Sequence, residues 1–263
     1  MTTKVLNEPK ELGFYSCYKE QEEMGRNDAS KKCIVLLSGG IDSTVLMYSL
    51  IADYEVYPLT IGYGQRHKKE VIAARNVCEA RGQWLLKRWK YVDLSNLRSI
   101  LPSALTGVGE VPEGHYTSEN MVQTVVPFRN GVLLSLATGY AESLSADCVA
   151  YAAHGGDHAI YPDCRPEFVD CIRKTIKLGT DGRVGLVEPF TYKTKADIIR
   201  LGKKLVVPLR LCWTCYVGDD RPCLRCGTCV ERTLAFHEVG FPDPVLSSEE
   251  WSEALKYALG VSK

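Results

Sequence analysis

A short apolar run, a serine–glycine–glycine turn and an amphipathic segment follow one another directly in CIVLLSGGIDSTVLMYSL, residues 33–50. Residues 33–37 are too few and too rich in β-branched side chains for a helix, which predicts a buried parallel strand. From Ser43 onward the apolar residues recur at helical spacing, which predicts a helix. A strand, a glycine turn and a helix in this order indicate a unit of an α/β fold.

The turn has the composition of a phosphate-binding loop. Gly39 and Gly40 have no side chains, so successive backbone N–H groups can converge on an anion, and the start of the next helix adds partial positive charge. The turn lacks the lysine of GxxxxGK[ST] loops, which favours a pyrophosphate that leaves over a γ-phosphate that is transferred. The alternative is an ordinary serine–glycine turn before a surface helix.

The pattern SGGxDS in this turn resembles the signature of the PP-loop ATP pyrophosphatases. These enzymes cut ATP between its α- and β-phosphates and adenylate an oxygen of their substrate. The resemblance implies that ATP, accompanied by Mg²⁺, binds at the turn. The nucleotide-binding residues that it implies are Leu37, Ser38, Gly39, Gly40, Asp42, Ser43 and Thr44.

Composition narrows the class of protein. The 263 residues are 45% hydrophobic and 24% charged, as in ordinary globular proteins. Lysine plus arginine equals aspartate plus glutamate, at 32 each, so no net charge attracts nucleic acid or a membrane surface. No apolar stretch approaches the roughly 20 residues that span a bilayer, and we recognise no signal peptide. We therefore expect a cytoplasmic protein without nucleic-acid or membrane partners.

Strands and helices alternate along the chain. Further strands are predicted at 56–61, 84–89, 147–151 and 184–187, and helices at 67–81, 131–144 and 166–177. Thr194 followed by Asp197 predicts a capped helix start. The alternation predicts a doubly wound, Rossmann-like parallel sheet of about five strands, with ligands at the carboxyl ends of the strands. We expect an N-terminal extension over 1–31, an ATP-binding α/β domain over 32–210 and a zinc-binding tail over 211–263.

Five of the eleven cysteines lie between Cys212 and Cys229. Such clustering in a cytosolic chain indicates metal ligands rather than disulfides. Two consecutive CxxC steps predict a tetrahedral zinc site, and an iron–sulfur cluster is the alternative. The spacing leaves open whether Cys212 or Cys215 is the fourth ligand. The predicted ligands are Cys215, Cys223, Cys226 and Cys229.

Five segments, in order over residues 36–231, together resemble the 7-cyano-7-deazaguanine synthase (QueC) family. They are LSGGIDST, IGYGQRH, VPFRNGVLLSLA, YPDCRPEF and TCY with the CxxCxxC run. The resemblance implies a Rossmann-like PP-loop domain with a small zinc-binding tail. It also implies a ligase that makes the nitrile preQ0 from 7-carboxy-7-deazaguanine, ammonia and ATP. The family's SCY, matched here by TCY, favours Cys215 as the fourth ligand.

Further site residues follow from the matching segments, and from the anionic substrate and the α-phosphate, which call for cations at the carboxyl edge of the sheet. Adenylation turns a carboxylate oxygen into a leaving group that ammonia displaces, so catalysis consists mainly of positioning and charge stabilisation. The catalytic residues that we expect are Asp42, Ser43, Arg129, Lys193 and Lys195. The substrate-binding residues that we expect are Tyr63, Gln65, Arg66, Arg129, Asn130, Asp157, Asp163 and Arg165. His67 and His154 fit either hydrogen bonding or proton transfer, and Cys164 is interpreted as a structural thiol.

The sequence departs from the family pattern at three places. Phe128 stands where we expect glycine in VPGRN, HGGDHAI replaces a stretch closer to NAVDYSG, and the N-terminal extension is additional. These departures leave open a QueC-like enzyme that joins the activated carboxylate to another amine, such as a protein N-terminus. A tRNA-modifying PP-loop enzyme and a nucleotide-sensing zinc module are further alternatives. A homodimer is also expected.

Overall fold

The computed structural model describes residues 31–65, 69–115, 119–218 and 220–260. Three of the sequence-based expectations fall outside these residues. They concern the N-terminal extension, apart from Lys31, and the roles of Arg66 and His67. All structural statements below refer to the described part of the chain.

Five parallel strands form one sheet in the order β3-β2-β1-β4-β5. The strands are β1 (Lys32–Leu36), β2 (Glu55–Gly62), β3 (Lys90–Asp93), β4 (Cys148–Ala150) and β5 (Gly185–Val187). β1 pairs with β2 on one side and with β4 on the other, so the chain reverses its direction of winding beside β1. This confirms the predicted doubly wound sheet, and it leaves a crevice beyond the carboxyl ends of β1 and β4.

Helices cover both faces of the sheet. They are α1 (Ile41–Leu50), α2 (Lys69–Arg81), α3 (Gln83–Arg88), α4 (Arg129–Ser143), α5 (Pro166–Gly179), α6 (Lys195–Lys204), α7 (Gly227–Val239) and α8 (Ser248–Ala258). The predicted cap of α6 is present. Thr194 Oγ1 accepts a hydrogen bond from the Asp197 N–H, and Asp197 Oδ2 accepts one from the Thr194 N–H, each at 3.1 Å.

The alternation of side chains along β1 divides the core into two layers. Cys33 and Val35 belong to the apolar cluster that includes residues of α1, α2, α6 and α7. Ile34 points to the opposite face and packs with residues of α4 and α5. All three are fully buried. A strand that is covered on both faces must be apolar throughout, which is the pattern of the run that begins at Cys33.

The strand predicted at 84–89 is wrong, because these residues form α3. Leu85 is completely buried, whereas 40% of Trp84 is exposed, so the segment buries one helical side only. Its backbone forms hydrogen bonds within the segment and the residue that follows it, since the Trp89 N–H donates to the carbonyl oxygens of Leu85 and Leu86. The third strand begins one residue later, at Lys90, and forms the edge of the sheet. A run of large apolar residues does not by itself distinguish a short helix from a strand.

The tail is built into the same core as the sheet. Cys212, Ala235 and Phe236 belong to the apolar cluster that contains β1 and α1. Inside the tail, the buried guanidinium of Arg232 donates to Asp243 Oδ1 at 2.8 Å. In the described part of the chain, none of the helices combines the length and the apolar character needed to cross a membrane.

Candidate active site and metal centre

The predicted phosphate-binding loop joins β1 to α1 at the crevice. Gly39 has a φ of +90°, which favours glycine, and a Cβ there would lie 2.3 Å from the carbonyl oxygen of Glu70. The Ser38 N–H donates to Ser43 Oγ at 3.2 Å, and the two hydroxyl groups lie 3.0 Å apart. The loop is therefore held in one conformation by close packing from outside and by its own hydroxyl groups.

A cavity of about 220 Å³ opens beside this loop, at the carboxyl ends of β1, β2 and β4. Most of the predicted residues meet in it, although they are separated by up to 158 positions in the sequence. Those that line it are Leu37, Ser38, Gly40, Asp42, Ser43, Tyr63, Gln65, Arg129, Asn130, Asp157 and Lys195. Gly39 and Thr44 lie just behind this lining, where Gly39 packs on α2 and Thr44 is buried in α1.

Lys195 and three carboxylates form a charged cluster at the loop end of the cavity. Lys195 Nζ lies 2.6 Å from Asp42 Oδ2 and 3.4 Å from Glu231 Oε2. His154 accepts a hydrogen bond from the Gly156 N–H at its Nδ1 (3.1 Å), which leaves its Nε2 toward the carboxylates. His154 Nε2 lies 3.5 Å from Asp157 Oδ2 and 3.7 Å from Asp42 Oδ2. The cluster therefore concentrates cationic and anionic groups where phosphates would bind.

Burial and pairing act in opposite directions on this cluster. Burial by itself raises the pKa of Asp42, but the charges of Lys195 and His154 outweigh it, so the pKa is lowered. Burial likewise opposes the charge of Lys195, yet Asp42 and Glu231 raise its pKa. Burial raises the pKa of Glu231, and Lys195 offsets this only in part. Asp42 and Lys195 are consequently a charged pair at neutral pH.

Arg129 and tyrosine side chains form the other end of the cavity. Arg129 Nη1 donates to Tyr63 Oη at 3.3 Å, and its guanidinium lies 5.5 Å from the centre of the Tyr63 ring. Tyr161 Oη lies 3.4 Å from Tyr216 Oη and 2.9 Å from Thr124 Oγ1. This end offers one cation and several hydroxyl groups, which suits a planar anion.

Asp163, which we expected to bind the substrate, does not line the cavity. Its Oδ2 accepts a hydrogen bond from the Asn130 N–H at 2.8 Å, in the first turn of α4. Asn130 Nδ2 in turn donates to the Asp163 carbonyl and, at 3.2 Å, to Cys164 Sγ. Asp163 therefore fixes the start of α4, and with it the position of Arg129. Burial raises the pKa of Cys164, which agrees with the structural thiol expected there.

Lys193 and Arg165 also lie outside the cavity lining, and both are exposed. The Arg165 guanidinium donates to the carbonyl oxygen of His158 at 2.9 Å and so braces its own loop. Sequence reasoning placed the two residues in the site as cations for the anionic substrate and the α-phosphate, on polar loops at the carboxyl edge of the sheet. Such loops also carry many solvated charges.

Several cavity residues were missed in the sequence. They are Glu70, Tyr161, Trp213, Thr214, Tyr216, Thr228, Glu231 and Arg232. All six from Trp213 onward lie within three residues of a predicted metal ligand. The cysteine spacing could therefore have indicated them. If the loop that holds the metal ligands packs against the crevice, the residues next to those ligands line the cavity.

Glu70, in the first turn of α2, lines the cavity together with Arg129. Burial raises the pKa of its carboxyl group from 4.5 to about 7, and Arg129 only partly opposes this. Since the folded-state pKa is raised, the contribution to stability is fully present below pH 4.5 and is lost as the pH rises toward 7.

We therefore expect Glu70→Gln to reduce the pH dependence of stability. Between pH 4.5 and 8, the free energy of unfolding of the unmodified protein should fall by on the order of 3 kcal/mol more than that of the variant. Urea denaturation at a series of pH values measures this difference. Glu79→Gln, at an exposed position of the same helix, is the control. Parallel pH profiles for Glu70→Gln and the unmodified protein would contradict the prediction.

The four predicted metal ligands converge in the tail. The sulfur atoms of Cys215, Cys223, Cys226 and Cys229 all lie within 4.8 Å of one another. The backbone N–H groups of Gly218 and Cys223 donate to Cys215 Sγ at 3.0 and 3.3 Å, which favours the thiolate. Four convergent thiols with such donors fit a closed tetrahedral metal site. Cys212 is outside this group and packs in the apolar core.

Comparison with known proteins adds independent information. The family model described as "Queuosine biosynthesis protein QueC" matches residues 32–240. A 7-cyano-7-deazaguanine synthase of Archaeoglobus fulgidus is 50% identical over 228 residues, which cover 86% of this chain and 94% of that protein. The synthase of Caldicellulosiruptor saccharolyticus is 48% identical, with 81% and 94% covered. That of Hahella chejuensis is 46% identical, with 84% and 96% covered.

Proposed function

Since the chain belongs to the QueC family of queuosine biosynthesis proteins, we propose that it is a 7-cyano-7-deazaguanine synthase. It converts 7-carboxy-7-deazaguanine and ammonia to the nitrile at the expense of ATP. One observation carries the proposal beyond family membership. A single cavity joins the phosphate loop and the Lys195 cluster to Arg129 and its tyrosines. The two ends of such a cavity can bind the phosphates of a nucleotide and an anionic, planar acid close to each other.

The reaction begins when a carboxylate oxygen of the acid attacks the α-phosphorus of ATP and pyrophosphate leaves. Ammonia then displaces AMP from the acyl adenylate and forms an amide, with release of a proton. A second ATP activates the amide oxygen in the same way, with loss of pyrophosphate. The nitrile forms when the amide nitrogen loses its two protons and AMP leaves with that oxygen. Each step moves negative charge onto phosphate oxygens, so fixed cations and N–H donors lower its barrier.

We assign the phosphates to the loop from Leu37 to Thr44, with Lys195 as their cation. Arg129 binds the carboxylate of the acid, and Tyr63, Gln65, Asn130 and Asp157 complete its site. Asp163 supports Arg129 indirectly. Lys193 and Arg165 would act only from the rim. These assignments rest on the lining of the cavity and on the polar contacts within it.

The donor groups also fit the expected ions. Asp42 and its neighbours Asp157 and Glu231 are oxygen ligands of the kind that Mg²⁺ prefers. The buried Oδ1 of Asp42 has no hydrogen-bond partner within the described chain, which supports a ligand there. Bound Mg²⁺ would neutralise phosphate charge. Zinc is the metal that we assign to the four thiols of the tail, where it would stabilise the fold.

We place the enzyme in the cytoplasm, where ATP and ammonia are available, and expect it to act as a homodimer without nucleic-acid or membrane partners. Residues 32–210 would form the ATP-binding domain, residues 211–263 the zinc-binding tail and residues 1–31 an extension. The curated relatives do not favour a protein N-terminus as the amine, or a sensor without catalysis.

The products of one assay test the proposal. With 7-carboxy-7-deazaguanine, ATP and ¹⁵N-ammonium, we expect mass spectrometry to find the nitrile with one labelled nitrogen. Nucleotide chromatography should find AMP and pyrophosphate, because the loop has no lysine of the γ-phosphate type. Omission of the acid is the control and should abolish AMP formation. ADP as the main product would contradict adenylation, and a labelled amide without nitrile would contradict the second activation.

A further inference from the structure

The phosphate loop is bonded directly to the metal-binding tail. We define the connecting segment as residues 212–216, which run from the apolar core to the first metal ligand. The backbone N–H of Trp213 donates to the carbonyl oxygen of Gly39 at 3.0 Å. The indole Nε1–H of the same residue donates to the carbonyl oxygen of Cys215 at 2.9 Å. The backbone of Trp213 therefore contacts the phosphate loop. Its side chain contacts Cys215, the residue that supplies a ligand thiol.

The connecting segment is fixed on its other side by the helix that carries the last ligand, Cys229. Thr228 Oγ1 donates to the carbonyl oxygen of Thr214 at 2.8 Å. Arg232 Nη1 donates to the carbonyl oxygen of Cys212 at 3.0 Å. Both donors lie on α7 within three residues of Cys229. A metal ion that joins Cys215 to Cys229 would hold α7 and the connecting segment in one arrangement.

The hydrogen bond to Gly39 determines where the loop's N–H groups point. In a trans peptide the C=O and the following N–H point in opposite directions. Since the Gly39 carbonyl points to Trp213, the Gly40 N–H points away from the tail, and it donates to Ser38 Oγ at 3.2 Å. Gly40 lines the cavity. Gly39 also packs closely against α2, because a Cβ there would lie 2.3 Å from the Glu70 carbonyl oxygen. The loop therefore has little room to move toward α2.

Lys69 holds the indole of Trp213 in place. Its Nζ lies 5.1 Å from the centre of the ring and 3.1 Å from Asp220 Oδ1. Asp220 belongs to the stretch between Cys215 and Cys223. The Lys69 ammonium thus contacts both the indole and the stretch between Cys215 and Cys223.

We propose that Trp213 is a positioning residue that couples the metal centre to the phosphate loop, so that metal and nucleotide phosphate each raise the affinity for the other. The inference deepens the proposed function, because it assumes that ATP binds at the loop. The coupling is reciprocal by thermodynamic necessity. If the metal raises the affinity for the nucleotide by some factor, the nucleotide raises the affinity for the metal by the same factor. A purely structural metal would stabilise the tail without this linkage.

Metal release measures the linkage on the intact metal-loaded protein. A chromogenic chelator removes the metal, with or without saturating α,β-methylene ATP in excess Mg²⁺. We expect the analogue to slow release about 5- to 10-fold, in line with a typical coupling free energy. Adenosine, which lacks phosphates, is the matched control and should leave the rate unchanged. Equal release rates with and without the analogue would overturn the coupling.

Trp213→Phe tests the residue itself. Phenylalanine keeps the backbone N–H to Gly39 but loses the indole N–H to Cys215. We expect full metal content, analogue binding weakened about 3- to 10-fold by calorimetry, and a smaller effect of the analogue on metal release. Trp84→Phe, at an exposed tryptophan of α3, should behave like the unmodified protein.

The outcomes separate this inference from the proposed function. Normal analogue affinity and normal slowing of release in Trp213→Phe would overturn the role of Trp213. Failure of the metal-loaded, unmodified protein to bind the analogue at all would overturn the proposed function as well. If Trp213→Phe did not fold, the comparison of analogue and adenosine on the unmodified protein would still decide whether the two sites are coupled.

Discussion

Asp42→Ala is expected to lower the rate of pyrophosphate release by about 100-fold or more while the protein remains folded. The carboxylate of Asp42 lies 2.6 Å from Lys195 Nζ, in the first turn of α1 and at the wall of the cavity. Without it, the nearest remaining carboxylate oxygen is that of Glu231, 3.4 Å from Lys195 Nζ. The cation would then be drawn away from the phosphate loop.

Ser43→Ala should cause a loss of similar size for a different reason. Its hydroxyl accepts the Ser38 N–H and lies 3.0 Å from Ser38 Oγ, so its removal loosens the loop and deletes a donor. Ser49→Ala, on the same helix but outside the cavity lining, is the matched control and should retain normal turnover. Circular dichroism checks the fold of each variant. Near-normal turnover in either Asp42→Ala or Ser43→Ala would mean that the motif is only a turn.

Cys215→Ser is expected to lose the metal and to destabilise the protein by several kcal/mol, because thiolate ligation and folding of such sites are linked. Cys215 Sγ belongs to the group of four sulfur atoms and accepts backbone N–H donors that stabilise a thiolate. Serine offers a poor ligand in its place. Metal content by mass spectrometry and chemical denaturation of the same samples measure both effects.

Cys212→Ser should keep the metal. The Cys212 side chain packs in the apolar core, and burial raises the pKa of its thiol to about 11, so it is neither placed nor ionised for ligation. A buried hydroxyl there should still cost on the order of 1–3 kcal/mol. Cys171→Ser, at an exposed cysteine, is the control for loss of a thiol alone. Metal lost from Cys212→Ser but retained in Cys215→Ser would reverse the assignment.

The sequence was informative wherever a short stretch determines its own structure. The strand, glycine turn and helix around Gly39 are local, and so is the cap formed by Thr194 and Asp197. The order of strands and helices was enough to predict the doubly wound sheet, since parallel strands need such crossovers. The CxxC spacing likewise predicts, without any tertiary contact, that three sulfur atoms can reach the same metal ion.

Tertiary packing decided what is not local. Residues 84–89 have the composition of a strand, but a helix that buries only Leu85 fits the space beside β2. The sequence favoured Asp163 as a substrate-binding carboxylate, but its Oδ2 accepts a hydrogen bond from the Asn130 N–H at the start of α4. In both cases the local pattern was compatible with two outcomes, and the neighbouring elements selected one.

The composition of the candidate site shows the same division. Asp42 and Lys195 were both expected in it from the sequence, Asp42 from its motif and Lys195 because the anionic substrate and the α-phosphate call for cations. The pairing of Lys195 with Glu231, and the hydrogen bond from Trp213 to Gly39, depend on the tail packing against the crevice. Sequence determined the loop, the sheet and the thiol spacing, because their geometry is set by neighbours in the chain. Only the folded structure decided which distant charges and donors meet, because that depends on how the layers pack.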